Sequence, residues 1–297
     1  MEENENKKNW HDKSYKQLLL IPALLLLFSF VYLGIFYSQN DSFIKKDISL
    51  EGGTSITIYE KIDAVELEIY LQDKLDELSI REISDLITRE QKAITIETTT
   101  DAQNTKEILE EYLGYKLISG DNADIISTGS EFGESFYKQL LIGILIAFLF
   151  MAIVVFALFR TGVPSGAVIL SAFADIIMTL TIVNIFGIKM SGAGIIALVM
   201  LIGYSVDTDI LLTNRILKRH EGNLNERIFG AFKTGMTMTL TSLFAMGIAL
   251  LVVKSFSETL TQIFTILVIG LVFDLLNTWI TNVSILKWYV NKKGRTK

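Results

Sequence analysis

Six long apolar stretches alternate with polar segments along the chain. They cover residues 17–37, 139–159, 164–186, 190–212, 234–253 and 260–285. Each has about 20 residues or more, the length an α-helix needs to cross the hydrocarbon core of a bilayer. The pattern predicts a polytopic α-helical membrane protein with six transmembrane helices, the last five forming a bundle over residues 138–286.

The first apolar run, residues 17–37, follows a polar tail, residues 1–16, that contains four lysines. A charged tail before an apolar run is also typical of a signal peptide. This run is longer than a usual signal-peptide core and has no small-x-small cleavage site near Ser38. We therefore interpret it as a retained membrane anchor.

The polar segment between the first two apolar runs, residues 38–137, is expected to form one domain. Alternating apolar positions predict a strand over residues 54–59, and leucines at helical spacing predict an amphipathic helix from about Ala64. Further strands are predicted near residues 80–87, 93–98 and 123–128, and a second helix from about residue 101. The order strand, helix, strand, strand, helix, strand is that of a ferredoxin-like α+β unit.

Lysine and arginine in the short loops predict the orientation of the helices. The N-terminal tail, the Arg160 turn, the loop 213–233 and the C-terminal tail, residues 287–297, are rich in positive charge, whereas the turns at Lys189 and Lys254 hold one such residue each. Positive loops remain preferentially in the cytoplasm. We therefore expect a multi-pass plasma membrane protein with both termini cytoplasmic and its α+β domain extracytoplasmic.

Composition adds an asymmetry of charge and several exclusions. Residues 38–137 carry nine Lys and Arg against 22 Asp and Glu, while the whole chain has a net charge of -6. Cysteine is absent, which excludes disulfides and thiol chemistry. The two histidines lie in polar segments, and neither a G-x-S-x-G nor a phosphate-loop pattern is present. We expect no enzyme activity, cofactor, metal or nucleic acid.

Four carboxylates lie inside the predicted spans: Asp175 in the third, Asp207 and Asp209 in the fourth, and Asp274 in the sixth. A charged carboxylate in hydrocarbon is costly unless it faces water, a partner or a proton path. All four are therefore candidates for a proton relay. Asp207 and Asp209 are two residues apart, about 200° around a helix, so they point to different faces.

Structural roles remain as alternatives. Asp209 lies close to the polar end of its span and could simply be solvated there, whereas the other three acids could bond to asparagines and threonines of neighbouring helices. Lys233, before the threonine-rich fifth span, is either another relay candidate or a snorkelling residue. Those threonines can instead bond to their own backbone. Paired membrane aspartates also occur in intramembrane aspartyl proteases, but the Tyr-Asp and Gly-x-Gly-Asp contexts of that class are missing here.

The segment GYSVD, residues 203–207, resembles the fourth-helix motif of the SecD/SecF family of protein export factors, within the class of proton-driven resistance-nodulation-division transporters. Two glycine motifs at the borders of the polar domain resemble those of the same family. One helix, one small outside domain and five helices is the layout of the family's SecF branch, and the position of the carboxylate resembles its archaeal members. The residues matched to family motifs are Gly52, Gly53, Thr54, Gly129, Gly133, Gly203, Tyr204, Ser205 and Arg215.

The resemblance implies a subunit that assists Sec-dependent protein translocation with the proton motive force. It implies SecD, a SecYE-type translocation channel and exported polypeptide chains as partners, in contact with membrane lipid. It also implies a relay role for Asp207, with Lys233 as the nearest basic neighbour of the family's fifth-helix arginine. One alternative is a self-sufficient proton-coupled exporter of lipids or small amphiphiles that acts as a homodimer. A third is a structural assembly factor whose acids only bond helices.

Overall fold

The computed structural model describes residues 15–85, 88–218 and 222–294. Most of the predicted N-terminal tail lies outside these residues, as do both histidines and the end of the C-terminal tail. Within the described part of the chain, six helices are long and apolar enough to cross a membrane. The first of them begins at Tyr15, and its main body is α1 (Leu20–Asn40).

A four-stranded antiparallel sheet with three short helices follows α1. Its elements are α2 (Ile48–Glu51), β1 (Gly53–Ile58), α3 (Ala64–Leu71), β2 (Ser79–Ser84), β3 (Gln91–Thr98), α4 (Ala102–Leu113) and β4 (Ala123–Thr128). The strand order is β2-β3-β1-β4. In β1 and β3, Ile56 pairs with Ile96 and Ile58 with Ile94, so all four isoleucines share the face on which α3 and α4 pack. We call this part the sheet unit.

Five more spanning helices follow the sheet unit. They are α5 (Ser130–Phe159), α6 (Gly162–Ile185), α7 (Gly192–Lys218), α8 (Leu224–Val253) and a sixth span built from α9 (Glu258–Leu276), a π-helical segment (Asn277–Asn282) and α10 (Val283–Gly294). The segments α6, α7 and the sixth span hold most of the buried residues, while α5 and α8 are largely exposed. The helix α5 begins nine residues before the predicted run at residue 139, because its polar first turns continue the helix below the sheet unit.

The glycine motifs meet where the sheet unit joins the bundle. A Cβ on Gly52 would lie 2.5 Å from Cα of Ser130, and Gly52 has a φ of 94°, which only glycine adopts without strain. A Cβ on Gly133 would lie 3.0 Å from the backbone of Leu50. The turn at α2 therefore packs backbone to backbone on the start of α5, and both motifs serve one junction.

Two further contacts hold the sheet unit on the bundle. The amide of Met190, before α7, donates to the carbonyl of Lys45 at 2.7 Å, and the amide of Asp47 donates to the carbonyl of Met190 at 3.0 Å. On the other side, the guanidinium of Arg81 in β2 pairs with Glu97 in β3 at 2.8 Å and with Glu258 at the start of α9.

Candidate functional site

A polar stripe runs along the sixth span. Its residues recur at intervals of three and four, which places them on one helix face: Asp274, Asn277, Thr278, Thr281 and Asn282. The last four lie in the π-helical segment, and all five are buried. Single π-helical turns inside α-helices occur frequently at functional sites. The stripe faces α6 and α7. At this level the bundle therefore has a polar interior and an apolar surface.

Asp175 of α6 is fixed by two donors from different helices. The hydroxyl of Ser205 in α7 donates to its Oδ2 at 2.6 Å, and the side-chain amide of Asn277 donates to its Oδ1 at 2.7 Å. Asp175 has no exposed surface. The family motif residue Ser205 thus ties α7 to α6, and Asn277 ties the π-helical segment to the same carboxylate.

Asp209 of α7 and Asp274 of α9 share one hydroxyl. Oγ1 of Thr278 lies 2.8 Å from Oδ1 of Asp209 and 3.1 Å from Oδ1 of Asp274, and the side-chain amide of Asn282 donates to the same oxygen of Asp209 at 2.7 Å. A hydroxyl has a single proton, so it can donate to only one of the two carboxylates. Hydrogen bonds to both require a proton on the other carboxyl group.

We call Asp175, Asp209 and Asp274 the buried triad. All three have 0% relative exposure, and Oδ2 of Asp209 and of Asp274 have no hydrogen-bond partner among the described residues. Among the described residues, no ion pair joins the triad to a lysine or arginine. Three ionised carboxylates without a positive partner would cost far more free energy at these buried positions than three protonated carboxyl groups. The arrangement is therefore suited to holding and exchanging protons.

Asp207 lies on a different face of α7. It is exposed, as its position about 200° from Asp209 requires. Gly203, one turn earlier, is exposed too, and in the described part of the chain no atom lies within 4 Å of the position its Cβ would take. With Ile196 and Met200, which are 51% and 42% exposed, they form a stripe along α7 that we call the free face. The fold thus separates Asp207 from the buried triad.

The basic candidates do not reach the triad. Lys233 is exposed on α8, and Arg215 donates to the hydroxyl of Thr234 at 2.9 Å. Thr237 and Thr241 of α8 donate to the carbonyls of Lys233 and Thr237, which is the self-bonding alternative considered for this span. The remaining motif residues have structural positions: Tyr204 is partly buried against the core, and the hydroxyl of Thr54 donates to the carbonyl of Thr100 at 2.8 Å.

Two alternatives from the sequence can now be compared with the geometry. The interpretation of Asp209 as a solvated residue is wrong, because its whole side chain is buried. Hydrogen bonding between Asp175 and Asn277 is confirmed. Asn184, another possible partner of the acids, bonds instead to the backbone of Phe43 and Lys45, in the linker that follows α1.

Sequence reasoning missed Thr278 and Asn282 as partners of Asp209. The spacing of the polar residues from Asp274 to Asn282 was the signal that could have found them, because an apolar span needs no polar stripe unless another helix covers it. What the spacing alone does not provide is the partner helix, which depends on how α6 and α7 pack against the stripe.

These features define a class: a polytopic membrane protein with one antiparallel sheet unit after its first helix and buried acids in its bundle. The chain matches the family described as "Protein export membrane protein SecD/SecF, C-terminal" over residues 115–292. A protein-export membrane protein SecF of Methanocaldococcus jannaschii is 39% identical over 94% of this chain and 97% of that protein. One of Pyrococcus furiosus is 34% identical over 94% and 92%. The chain belongs to the SecD/SecF family of protein-export membrane proteins.

Solved structures share the fold. The crystal structure of SecDF from Thermus thermophilus, described as a translocon-associated membrane protein, superposes with a TM-score of 0.69 at 16% identity. The match covers 94% of this chain and 38% of that one. A structure of SecDF in a super-membrane-facing form gives a TM-score of 0.59, covering 98% and 40%. This chain spans about two fifths of the SecDF chains.

Proposed function

We propose that this chain is the SecF-type subunit of a protein-export complex and assists Sec-dependent translocation with the proton motive force. The observation that carries the proposal is the end-to-end similarity to proteins named SecF, at 39% identity over 97% of the relative's length. It acts with SecD, a SecYE-type channel and the exported polypeptide.

The proposed SecD contact is the free face of α7. Ile196, Met200, Gly203 and Asp207 would leave a carboxylate in lipid if nothing covered them, and a carboxylate there is costly. Gly203 leaves room for the close approach of another helix. The SecDF chains that share this fold are more than twice as long, which supports a second bundle beside this one.

We further propose that the sheet unit is a ferredoxin-like extracytoplasmic domain and that both termini are cytoplasmic. The strand order β2-β3-β1-β4, with α3 after β1 and α4 after β3, supports the first part. The excess of lysine and arginine in the loop after α7 and in the C-terminal tail supports the second.

For the proton relay we propose that the buried triad stores protons and that Asp207, at the SecD contact, exchanges them. Gain or loss of a proton changes which carboxylate accepts from Thr278 and so changes the packing of α7 against the sixth span. The packing change reaches the sheet unit through α9, whose first residue, Glu258, pairs with Arg81. Lys233, exposed on α8, is proposed only as a peripheral residue of this path.

The test of the export proposal is affinity purification from native membranes in mild detergent, with mass spectrometry of the co-purified chains. We expect a SecD-like chain and channel subunits. Cross-linking from a cysteine placed at Gly203 should reach SecD, whereas one at Gly143, on exposed α5, should not. Isolation as a homodimer alone would contradict the proposal and favour a self-sufficient exporter of lipids or amphiphiles.

Two isosteric variants test the relay. We expect Asp209→Asn and Asp207→Asn each to abolish the stimulation of export by a proton gradient, because neither amide can exchange a proton. Thr241→Val, which removes a hydroxyl bonded only to its own helix, is the control. If a proton gradient still stimulates export fully in both aspartate variants, the acids have only a structural role, and the chain is better explained as an assembly factor.

A further inference from the structure

An apolar cavity of about 650 Å³ lies between α1, α5, α6 and α7. Its volume is in the range of about 300–1,000 Å³ that is usual for ligand sites. The lining consists of leucine, isoleucine and phenylalanine side chains and of Gly34 on α1. No lining side chain offers the two to four polar partners that a buried water needs, so the cavity is not a water site.

Three phenylalanines lie at the end of the cavity that is farthest from the sheet unit. Phe30 of α1, Phe148 of α5 and Phe173 of α6 each lie near the middle of an apolar run, and the ring centroids of Phe30 and Phe148 are both 5.9 Å from that of Phe173. From Leu141 to Phe148 the cavity extends about 10 Å along α5. The pocket is therefore confined to the membrane half on the side of the sheet unit.

The pocket opens sideways between α1 and α5. The helix α1 packs on α6, and α5 packs on α6 and α7, so the cavity separates the two outer helices. Phe30 and Leu145 on its rim are 46% and 69% exposed. In a bilayer this opening faces hydrocarbon. Because the core is about 30 Å thick, a pocket that extends about 10 Å along α5 cannot hold a membrane-spanning helix but does fit a chain from one leaflet.

Positive charge stands at the sheet-unit end of the pocket. Phe43 and Ile44 line that end, and Lys45 and Lys46 follow them directly. The side chain of Lys45 is exposed, and Nζ of Lys46 lies 5.0 Å from the ring centroid of Tyr137. Acids lie near these lysines too. Asp47 is engaged with the amide of Ser49 at 2.5 Å, and Asp41 ends α1 and is exposed. Glu51 and Glu134 interact electrostatically with Lys46, which leaves Lys45 as the more available positive charge. The two lysines therefore stand where the headgroup of a lipid would lie if one of its chains entered the pocket.

We propose that this pocket binds one hydrocarbon chain of an anionic membrane lipid from the leaflet on the sheet-unit side, with its headgroup at Lys45 and Lys46. A lipid chain gains little free energy when it moves from the bilayer into an apolar pocket. The preference for an anionic lipid therefore comes from the lysines, and the pocket determines where the chain lies. The bound chain fills the gap between α1 and the bundle. This inference is independent of the proposed export function.

The test uses the full chain in vesicles of phosphatidylcholine that contain phosphatidylglycerol with a photoreactive diazirine at the end of an acyl chain. After irradiation, mass spectrometry locates the labelled residues. We expect labelling concentrated at the pocket lining and several times stronger than on lipid-facing residues of α8. Labelling spread evenly over all exposed helices would overturn the proposal, since it would report only bulk lipid.

Two glycines provide a matched pair of variants. Gly34 lines the pocket and no atom of the described residues lies within 4 Å of its Cβ position, so Gly34→Phe adds a ring at the lining. Gly143→Phe adds the same ring to an exposed, equally open position of α5 outside the lining. We expect Gly34→Phe to lower labelling of the lining at least fivefold and Gly143→Phe to leave it unchanged. Equal labelling in both variants contradicts the proposal. If Gly34→Phe does not purify as a folded protein, Leu145→Trp on the exposed rim replaces it, with the same expected loss.

The headgroup and the occupant are tested separately. Lys45→Gln with Lys46→Gln should reduce labelling by the phosphatidylglycerol probe to the level of a phosphatidylcholine probe, and equal labelling by both probes in the unaltered protein would overturn the anionic preference. Labelling is then repeated in native membranes. If the lining is labelled only in the isolated chain and a cysteine at Leu145 cross-links to another protein in membranes, a partner helix covers the opening and the lipid proposal is wrong.

Discussion

The sheet unit and the helix bundle distribute polarity in opposite ways. In the sheet unit, isoleucines and leucines fill the interior and most acids lie on the surface. In the bundle the surface is apolar, and the buried positions include three aspartates, three asparagines and several hydroxyls. The reason is the solvent. Water favours the burial of apolar groups inside the sheet unit, whereas the hydrocarbon around the bundle does not. Hydrogen bonds therefore specify the bundle where burial of apolar area specifies the sheet unit.

The largest loss of stability is expected in the sheet unit when a buried apolar side chain is replaced by a polar one. Ile56→Asn places an amide among apolar side chains at a position with 0% exposure, and we expect a loss of about 3 kcal/mol or more from lost packing and an unpaired polar group. In the full chain in detergent, residues 53–128 should become sensitive to protease while the spanning helices stay protected. Ile126→Asn, at a residue 57% exposed on β4, is the control. Equal protection in both variants would show that apolar burial does not specify this unit.

A smaller loss of stability is expected in the bundle when a buried polar side chain is replaced by an apolar one. Asn277→Leu removes the donor to Oδ1 of Asp175 and leaves a buried acceptor unpaired, at a cost of about 1–3 kcal/mol. Thr241→Leu, which makes an exposed α8 residue equally apolar, should have no measurable effect. The measurement is unfolding of the full chain in bicelles. If both leucine variants are as stable as the unaltered protein or more stable, buried polar hydrogen bonds do not stabilise the bundle.

The smallest change in stability is expected from one acid, Glu97, which is buried although most acids of the sheet unit lie on its surface. Glu97 is 7% exposed, and burial raises its pKa although the neighbouring Arg81 guanidinium opposes the rise. Because the folded pKa lies above the unfolded one, Glu97 adds stability at low pH that is lost as the pH rises from about 4.5 through the folded pKa. Glu97→Gln should therefore reduce the fall in melting temperature between pH 4 and pH 7. Glu82→Gln, at an exposed residue of β2, is the control, and an unchanged fall in both would contradict the cause given.

The two regions also differ in how far the sequence predicts them. Alternation around Ile56 and Ile58 predicted β1 to within one residue at each end, because one strand records in its own sequence which face is buried. In α7 the sequence showed that Asp207 and Asp209 face apart, but which of them is buried depends on α6 and the sixth span. The family resemblance drew attention to Asp207, whereas the enclosed carboxylates belong to Asp175, Asp209 and Asp274. Burial inside a bundle is decided between helices, so single-helix patterns leave it open.

The backbone bonds that join Met190 to Lys45 and to Asp47 set an order of assembly during synthesis. Lys45 and Met190 are about 145 positions apart, and a ribosome adding about 5–20 residues per second needs some 7–30 s to make that stretch. Every strand of the sheet unit is complete by Thr128, well before Met190 exists. The sheet unit can therefore finish folding while still free of the later helices, and its attachment beside α7 is a late event in the biogenesis of the protein.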